Sequence, residues 1–112
     1  MFVRLVHLHL KPNCAEQFTR TVEKEILPML RRQKGFQDLL TFVTEGEKEA
    51  VGISFWDGHE SAEFYRRERS SEVFKVLAKV IEGAPRVQGS ELPNATLQRI
   101  SPLQKITPPR AA

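Results

Sequence analysis

The sequence predicts an α+β domain of the split β-α-β kind, built on a four-stranded antiparallel sheet. Three observations point there. Apolar residues alternate over residues 2–10, 36–44 and 49–57, the period of a strand whose side chains point to opposite faces. They recur every three to four residues between 14 and 33, and again between 58 and 82, the spacing of helices with one buried stripe. The second and third strands are joined only by Glu45-Gly46-Glu47-Lys48, a link short enough for a hairpin.

Each element follows in order. Residues 2–10 form the first strand, with Val3, Leu5, His7 and His9 on one face and Phe2, Arg4, Val6, Leu8 and Leu10 on the other. Both faces are substantially apolar, so both need cover. Pro12 ends the strand. Asn13 is placed to cap a helix, and Glu16 completes a capping-box pattern. Phe18, Val22, Ile26, Met29 and Leu30 make its apolar stripe, which Pro28 interrupts. Pro28 lacks a backbone donor and is expected to kink or tighten the last turn. The helix stops near Gln33, and Gly35 provides its exit. After the hairpin, Asp57 is placed to cap a second helix, with Glu60 three residues on, and Ser70-Ser71 interrupt it. A third helical stretch, 72–82, carries Val73, Phe74, Leu77, Val80 and Ile81 and is expected to end at Gly83 and Pro85. Residues 94–100 are expected to be the last strand. The tail Ser101–Ala112, with three prolines, reads as an extended or disordered arm. The domain therefore covers residues 1–100, with a Pro-rich arm over 101–112.

The order β-α-β-β-α-β is ferredoxin-like, with strands 1 and 3 side by side at the centre and the helices on one face. The bare face then carries apolar side chains; Val51, Ile53 and Phe55 lie on one side of strand 3 and Trp56 on the other. Leaving such a face in water exposes a large apolar patch. A homodimer packed sheet to sheet would cover it; the alternative is a monomer whose tail folds over the sheet.

Composition narrows the function classes. The 112 residues suit one domain, and 28% of them are charged. The net charge of +3 is spread among acids, as in Arg66-Arg67-Glu68-Arg69. No basic stripe interleaved with aromatics emerges, so no nucleic-acid partner is expected. Arg4, His7 and His9 interrupt the first ten residues, which excludes a signal-peptide core. No apolar run approaches a membrane span, so no membrane partner is expected. The one cysteine, Cys14, allows no intrachain disulfide and fits a cytoplasmic location. Cys14 lies near a helix N-terminus, but no base is placed beside it. The sequon Asn94-Ala95-Thr96 has no meaning without secretion. Walker, GxGxxG, CxxC and Ser-His-Asp signatures are missing, so no nucleotide, flavin or zinc cofactor is expected.

Three stretches carry a family resemblance. They are the helix exit Leu27-Pro28-Met29-Leu30-Arg31 leading to Gly35-Phe36, strand 3 as Ile53-Ser54-Phe55-Trp56-Asp57, and the next helix with Ser61-Ala62 and Phe64-Tyr65. With the element order, over residues 2 to about 100, the chain resembles the antibiotic-biosynthesis-monooxygenase-like proteins of the dimeric α/β-barrel superfamily. The resemblance implies cofactor-free oxygenases of phenols and quinols, haem-degrading enzymes, or members of no known function. Ser71-Glu72-Val73-Phe74-Lys75 is similar to the haem-degrading branch. Where that branch has its axial histidine this chain has Ala78, and where it has a strand-1 asparagine this chain has His7. Only Trp56 of that pocket set matches, so the resemblance implies no haem ligand here.

Five residues are candidates for chemistry. His7 and Trp56, on adjacent strands, are expected to open on the cleft between sheet and helices. A histidine exchanges a proton near neutral pH and so suits the deprotonation of a phenol or quinol. Trp56 suits stacking on an aromatic substrate. Alternatively, Trp56 is core and His7 a satisfied semi-buried residue. His9 shares a strand face with His7 and is a substrate contact in the same reading. The pair lacks a third ligand at recognisable spacing, since His59 and Asp57 supply none, so no metal is expected. Tyr65 is placed to donate to a substrate oxygen and Arg66 to steady an anion; otherwise Tyr65 packs at the helix–sheet seam and Arg66 is solvated. The resulting expectation is a cofactor-independent monooxygenase of a small aromatic, quinol-type molecule. The alternatives are a non-catalytic dimeric ligand-binding or stress-associated domain, and a haem-degrading monooxygenase.

Overall fold

The computed structural model describes residues 1–91. The expected strand over 94–100 and the arm over 101–112 lie outside the described residues. The elements run β1 (Phe2–Leu10), α1 (Ala15–Thr21), a π-helical turn (Val22–Ile26), α2 (Leu27–Arg31), β2 (Phe36–Val43), β3 (Glu49–Trp56), α3 (His59–Glu68), α4 (Ser70–Leu77) and β4 (Ile81–Glu91). The sheet order is β2-β3-β1-β4, antiparallel throughout. This is the ferredoxin-like arrangement, with β1 and β3 central as the element order predicts.

Register decides which side chains meet the helices. Phe2 lies opposite Trp56, Arg4 opposite Ser54, Val6 opposite Gly52 and Leu8 opposite Ala50. Directly opposed residues share a face, so the even-numbered residues of both strands form one surface. Leu8, Leu10, Ala50 and Trp56 on it are buried in one core with Phe18, Val22, Ile26 and Leu30 of the first helical arm and Val73 and Leu77 of α4. The odd-numbered residues, including Val3, Leu5, His7, Val51, Ile53 and Phe55, form the outer face. Leu40 and Phe42 of β2, paired with Ile53 and Val51, extend that face and stand 52% and 47% exposed.

Local structure departs from expectation at four places. The helix widens before Pro28 where a kinked or tightened turn is expected: a π-turn precedes it, in which the Leu27 N–H reaches the Val22 carbonyl. Such a turn shifts the hydrogen-bond ladder just where proline withholds a donor. Asn13 does not cap this helix: it adopts a left-handed φ of 61°, and Cys14 takes the N-cap position without a side-chain cap bond. Gly58, not Asp57, is the N-cap of α3. The Asp57 N–H instead donates to the Gly35 carbonyl at 2.8 Å. Gly35 has φ +84°, and a Cβ there would lie 2.3 Å from the Ser61 hydroxyl. Only glycine suits that crossing of the helix exit over α3.

The fourth departure is the largest. The helical stretch expected over 72–82 stops at Leu77, and Ile81–Glu91 is the fourth strand. Gly83 and Pro85, read as helix stops, lie inside it. His7 pairs with Arg86 but His9 pairs with Glu82, so β4 bulges between them, with Gly83 at φ +72°. An edge strand with a bulge tolerates both residues.

Candidate functional site

A cavity of about 60 Å³ lies between the even-numbered sheet face and the helices. Leu8, Phe18, Ile26, Leu30 and Leu77 make much of its wall, and its polar groups come from Arg4, Thr41, Ser54 and Tyr65. The strands supply three of these because an inward-facing register lets a polar side chain enter the core only where the helices leave space.

Tyr65 and Trp56 anchor one end. Trp56 is wholly buried. Its indole N–H donates to the Ser54 hydroxyl at 2.9 Å, which meets the demand of a buried donor. Phe36 meets the indole edge-on at 5.5 Å, and Tyr65 stacks on it at 5.0 Å with 30° between the rings. The Arg4 guanidinium carbon lies 5.2 Å from the centroid of the Tyr65 ring. The sequence Trp56, Tyr65, Arg4 thus runs from the packed core to the cavity wall. Burial pushes the Tyr65 phenol up to about 12, against a smaller opposing pull from the Arg4 charge. Tyr65 is therefore a neutral donor at physiological pH and not a base.

Arg4 is the unusual member. It is only 6% exposed, and its Nε is sealed from solvent with no hydrogen-bond acceptor among the described residues. Burial holds the guanidinium below its ordinary range; Tyr65 opposes this, Arg66 adds to it, and Glu63 opposes it. Glu63 borders the same surface groove as Arg4 but accepts from Arg66 Nε at 3.0 Å. That bond draws the Glu63 carboxyl down and the Arg66 guanidinium up. A cation–π contact contributes roughly 0.5–2 kcal/mol, whereas an uncompensated buried charge costs several kcal/mol. The Tyr65 ring alone does not account for Arg4.

The expected site residues divide between three places. Tyr65 lines the cavity and is at the same time buried against Trp56 at the seam of α3 and the sheet. Trp56 lies on the cavity side of the sheet but behind Tyr65, in the core. Arg66 borders a separate groove of about 260 Å³ with Phe2, Val87, Gln88 and Gly89, whose one wall is again Arg4. His7 does not open on the cleft: it lies opposite Val51 and Arg86 on the outer face. It stands five positions along the strand from Phe2, the partner of Trp56, and an odd offset reverses the face. His9 is on that outer face too, exposed, with Nδ1 3.9 Å from a Glu49 carboxylate oxygen. His59 is spent against Phe2, edge-on at 5.1 Å. Among the described residues no group of three His, Cys, Asp or Glu gathers, and no helix is long and apolar enough to cross a membrane.

Sequence reasoning passed over Arg4. The available signal was its place in the series Phe2, Arg4, Val6, Leu8, Leu10, where a lone charge stands on an otherwise apolar strand face.

No family model matches the sequence, and no curated protein does. Solved structures do share its fold. A candidate antibiotic biosynthesis monooxygenase from Bordetella bronchiseptica superposes with a TM-score of 0.69 at 13% identity, over 81% of this chain and 95% of that one. A Streptomyces coelicolor monooxygenase in complex with nanaomycin D superposes at 0.67 with 17% identity, over 83% and 92%. A protein of unknown function from Nitrosomonas europaea superposes at 0.65 with 13% identity, over 81% and 87%. The likeness to all three is one of fold.

Proposed function

We propose that the protein is a cofactor-independent monooxygenase that takes a small phenol or quinol into the cavity between sheet and helices. The supporting observation is the cavity itself: an apolar enclosure with a neutral Tyr65 donor on its wall, on a fold shared with structures described as monooxygenases. An ionised phenol passes an electron to O₂, the radical pair combines at carbon, and the hydroperoxide loses water. Net, one phenol C–H and the hydroxyl proton are lost, O₂ supplies the new carbonyl oxygen and the water, and the substrate is the sole reductant. The apolar wall excludes water from the radical pair. A space of 60 Å³ is smaller than the roughly 150 Å³ that accepts benzene in an engineered apolar cavity. Entry of a ring therefore requires half-buried Leu39 and Phe74 to swing from the wall.

Oxygen uptake with a panel of one-ring quinols tests the reading. Tyr65→Phe is expected to slow uptake about tenfold, the effect of one lost donor of about 1.4 kcal/mol. His7→Ala, on the opposite face, is expected to leave it unchanged. Uptake no faster than in buffer across the panel removes the oxygenase.

A second reading, a non-catalytic ligand-binding domain, is favoured by one observation: the described cavity wall carries no carboxylate or imidazole. In that case the same quinols raise the melting temperature without turnover.

Both readings include a homodimer closed over the outer face, and a cytoplasmic setting in keeping with free Cys14. Val3, Leu5, Ile53, Phe55, Leu40 and Phe42 make that face a continuous apolar surface, which water disfavours. Light scattering at micromolar concentration is expected to return the mass of two chains. Phe42→Asp, at an exposed site in the single chain, is expected to return the mass of one with its circular dichroism intact. A wild-type mass of one chain refutes the dimer.

A further inference from the structure

We propose that Arg4 is the anchor of an anion site, and that the cavity's natural occupant is a small organic anion: an apolar ring bearing one ionised oxygen group that sits on the Arg4 guanidinium. The inference rests on the cavity being the substrate site and goes on to assign its charge.

Arg4 is more than nine-tenths buried, and it lines the cavity. Its Nε is sealed with no acceptor among the described residues, although a buried donor ordinarily finds one. Among the described residues no carboxylate lies within salt-bridge distance of it. Of the charged groups around it, Arg66 repels, and Glu63 is held by Arg66. The rest of the sequence offers no side-chain carboxylate either, because residues 92–112 contain neither Asp nor Glu. Among the described residues Arg4 therefore meets no carboxylate of the chain's own. A guanidinium presents paired N–H donors suited to a carboxylate or to an ionised phenol. Apart from Arg4, Thr41, Ser54 and Tyr65 the lining residues are apolar, so the body of the anion is apolar. Arg4 also borders the groove along α3 and β4, which places the cation where the cavity and the surface groove share a wall.

For a phenol or quinol the consequence is chemical. A buried cation in a water-poor site favours the ionised form of whatever oxygen it meets. Arg4 would then perform, by electrostatics, the activation for which the wall offers no base, with the proton released to solvent.

The test uses the isosteric pair benzoate and benzamide, followed by the fluorescence of Trp56, the only tryptophan. Wild type is expected to bind benzoate at least tenfold more tightly than benzamide. Arg4→Met is expected to erase that preference while keeping benzamide binding, and Arg4→Lys to retain part of it. 4-Nitrophenol, whose ionised form is coloured, is expected to ionise at lower pH when bound to wild type and not when bound to Arg4→Met. This arm separates an ionised phenol from a carboxylate as the preferred group. A benzoate preference below twofold in wild type, a preference that survives in Arg4→Met, or binding of neither ring overturns the proposal. If Arg4→Met does not fold, the wild-type ratio and Arg4→Lys decide alone. Oxygen uptake without a benzoate preference removes the anchor and leaves the oxygenase; the preference without uptake does the reverse.

Discussion

Trp56→Ala is expected to destabilise the fold by about 4 kcal/mol, in the upper range for a buried aromatic, when unfolding in urea is followed by far-ultraviolet circular dichroism. The indole is wholly buried, so its loss opens a hole where Phe36, Tyr65 and the strand floor converge. Two specific contacts go with it. The Ser54 hydroxyl loses the N–H that reaches it at 2.9 Å, and Tyr65 loses the ring stacked on it at 5.0 Å; aromatic pairs add roughly 0.5–1.5 kcal/mol beyond their buried area. A small domain has roughly 5–15 kcal/mol in all, so the substitution removes a large share of it. Trp56→Phe keeps a ring but not the N–H, and is expected to cost about half as much. Should the alanine variant not fold, the phenylalanine variant carries the measurement. A loss below about 1 kcal/mol for Trp56→Ala would show that the indole is not packed as described.

Trp56 also shows how far the sequence could be read. Alternation over 2–10, 36–44 and 49–57 was legible because strand burial has a period of two. The helices were legible because Phe18, Val22, Ile26 and Leu30 keep helical spacing through Pro28. The facing of β1 was not. Its two faces carry comparable apolar content, one with Arg4 and the other with His7 and His9, so hydropathy alone does not say which meets the helices. Register does: once Phe2 lies opposite Trp56, His7 must point outward, and register depends on pairing across the sheet, which local pattern does not encode. The same holds for β4. Gly83 and Pro85 end a helix or a central strand on local grounds, and only their place at a bulged edge makes them strand residues.

The candidate site was half legible for a related reason. Tyr65 was found because its ring is large and follows Ala62 by nearly one helical turn on the buried side of α3. Arg4 was missed because an arginine in a strand reads as a surface residue, and nothing in its neighbours announces that no carboxylate comes to meet it. The histidines attracted attention by their chemistry, yet the chemistry of a side chain counts only on the face where the ligand is.

The alkaline titration of Tyr65 joins the packing of this corner to its electrostatics. It is the only tyrosine, so tyrosinate absorbance reports it alone. In the folded chain its midpoint is expected at about 12, against the ordinary 10.0 in denaturant. Between those two values the unfolded chain has lost a proton that the folded chain keeps. Ionisation therefore favours unfolding as pH rises: the contribution is whole below pH 10, declines by roughly 1.4 kcal/mol per unit, and is spent above 12, a fall of about 3 kcal/mol. Tyr65→Phe is expected to remove that part of the alkaline loss, visible as a flatter dependence of urea midpoint on pH. Because the Arg4 charge pulls the phenol down while burial pushes it up, Arg4→Met is expected to raise the midpoint further. An anion seated on Arg4 should do the same by offsetting that charge, which makes the one tyrosine a gauge of occupancy in the cavity. A folded-state midpoint near 10 would mean that water reaches the phenol, and the stack from Trp56 through Tyr65 to Arg4 would not stand.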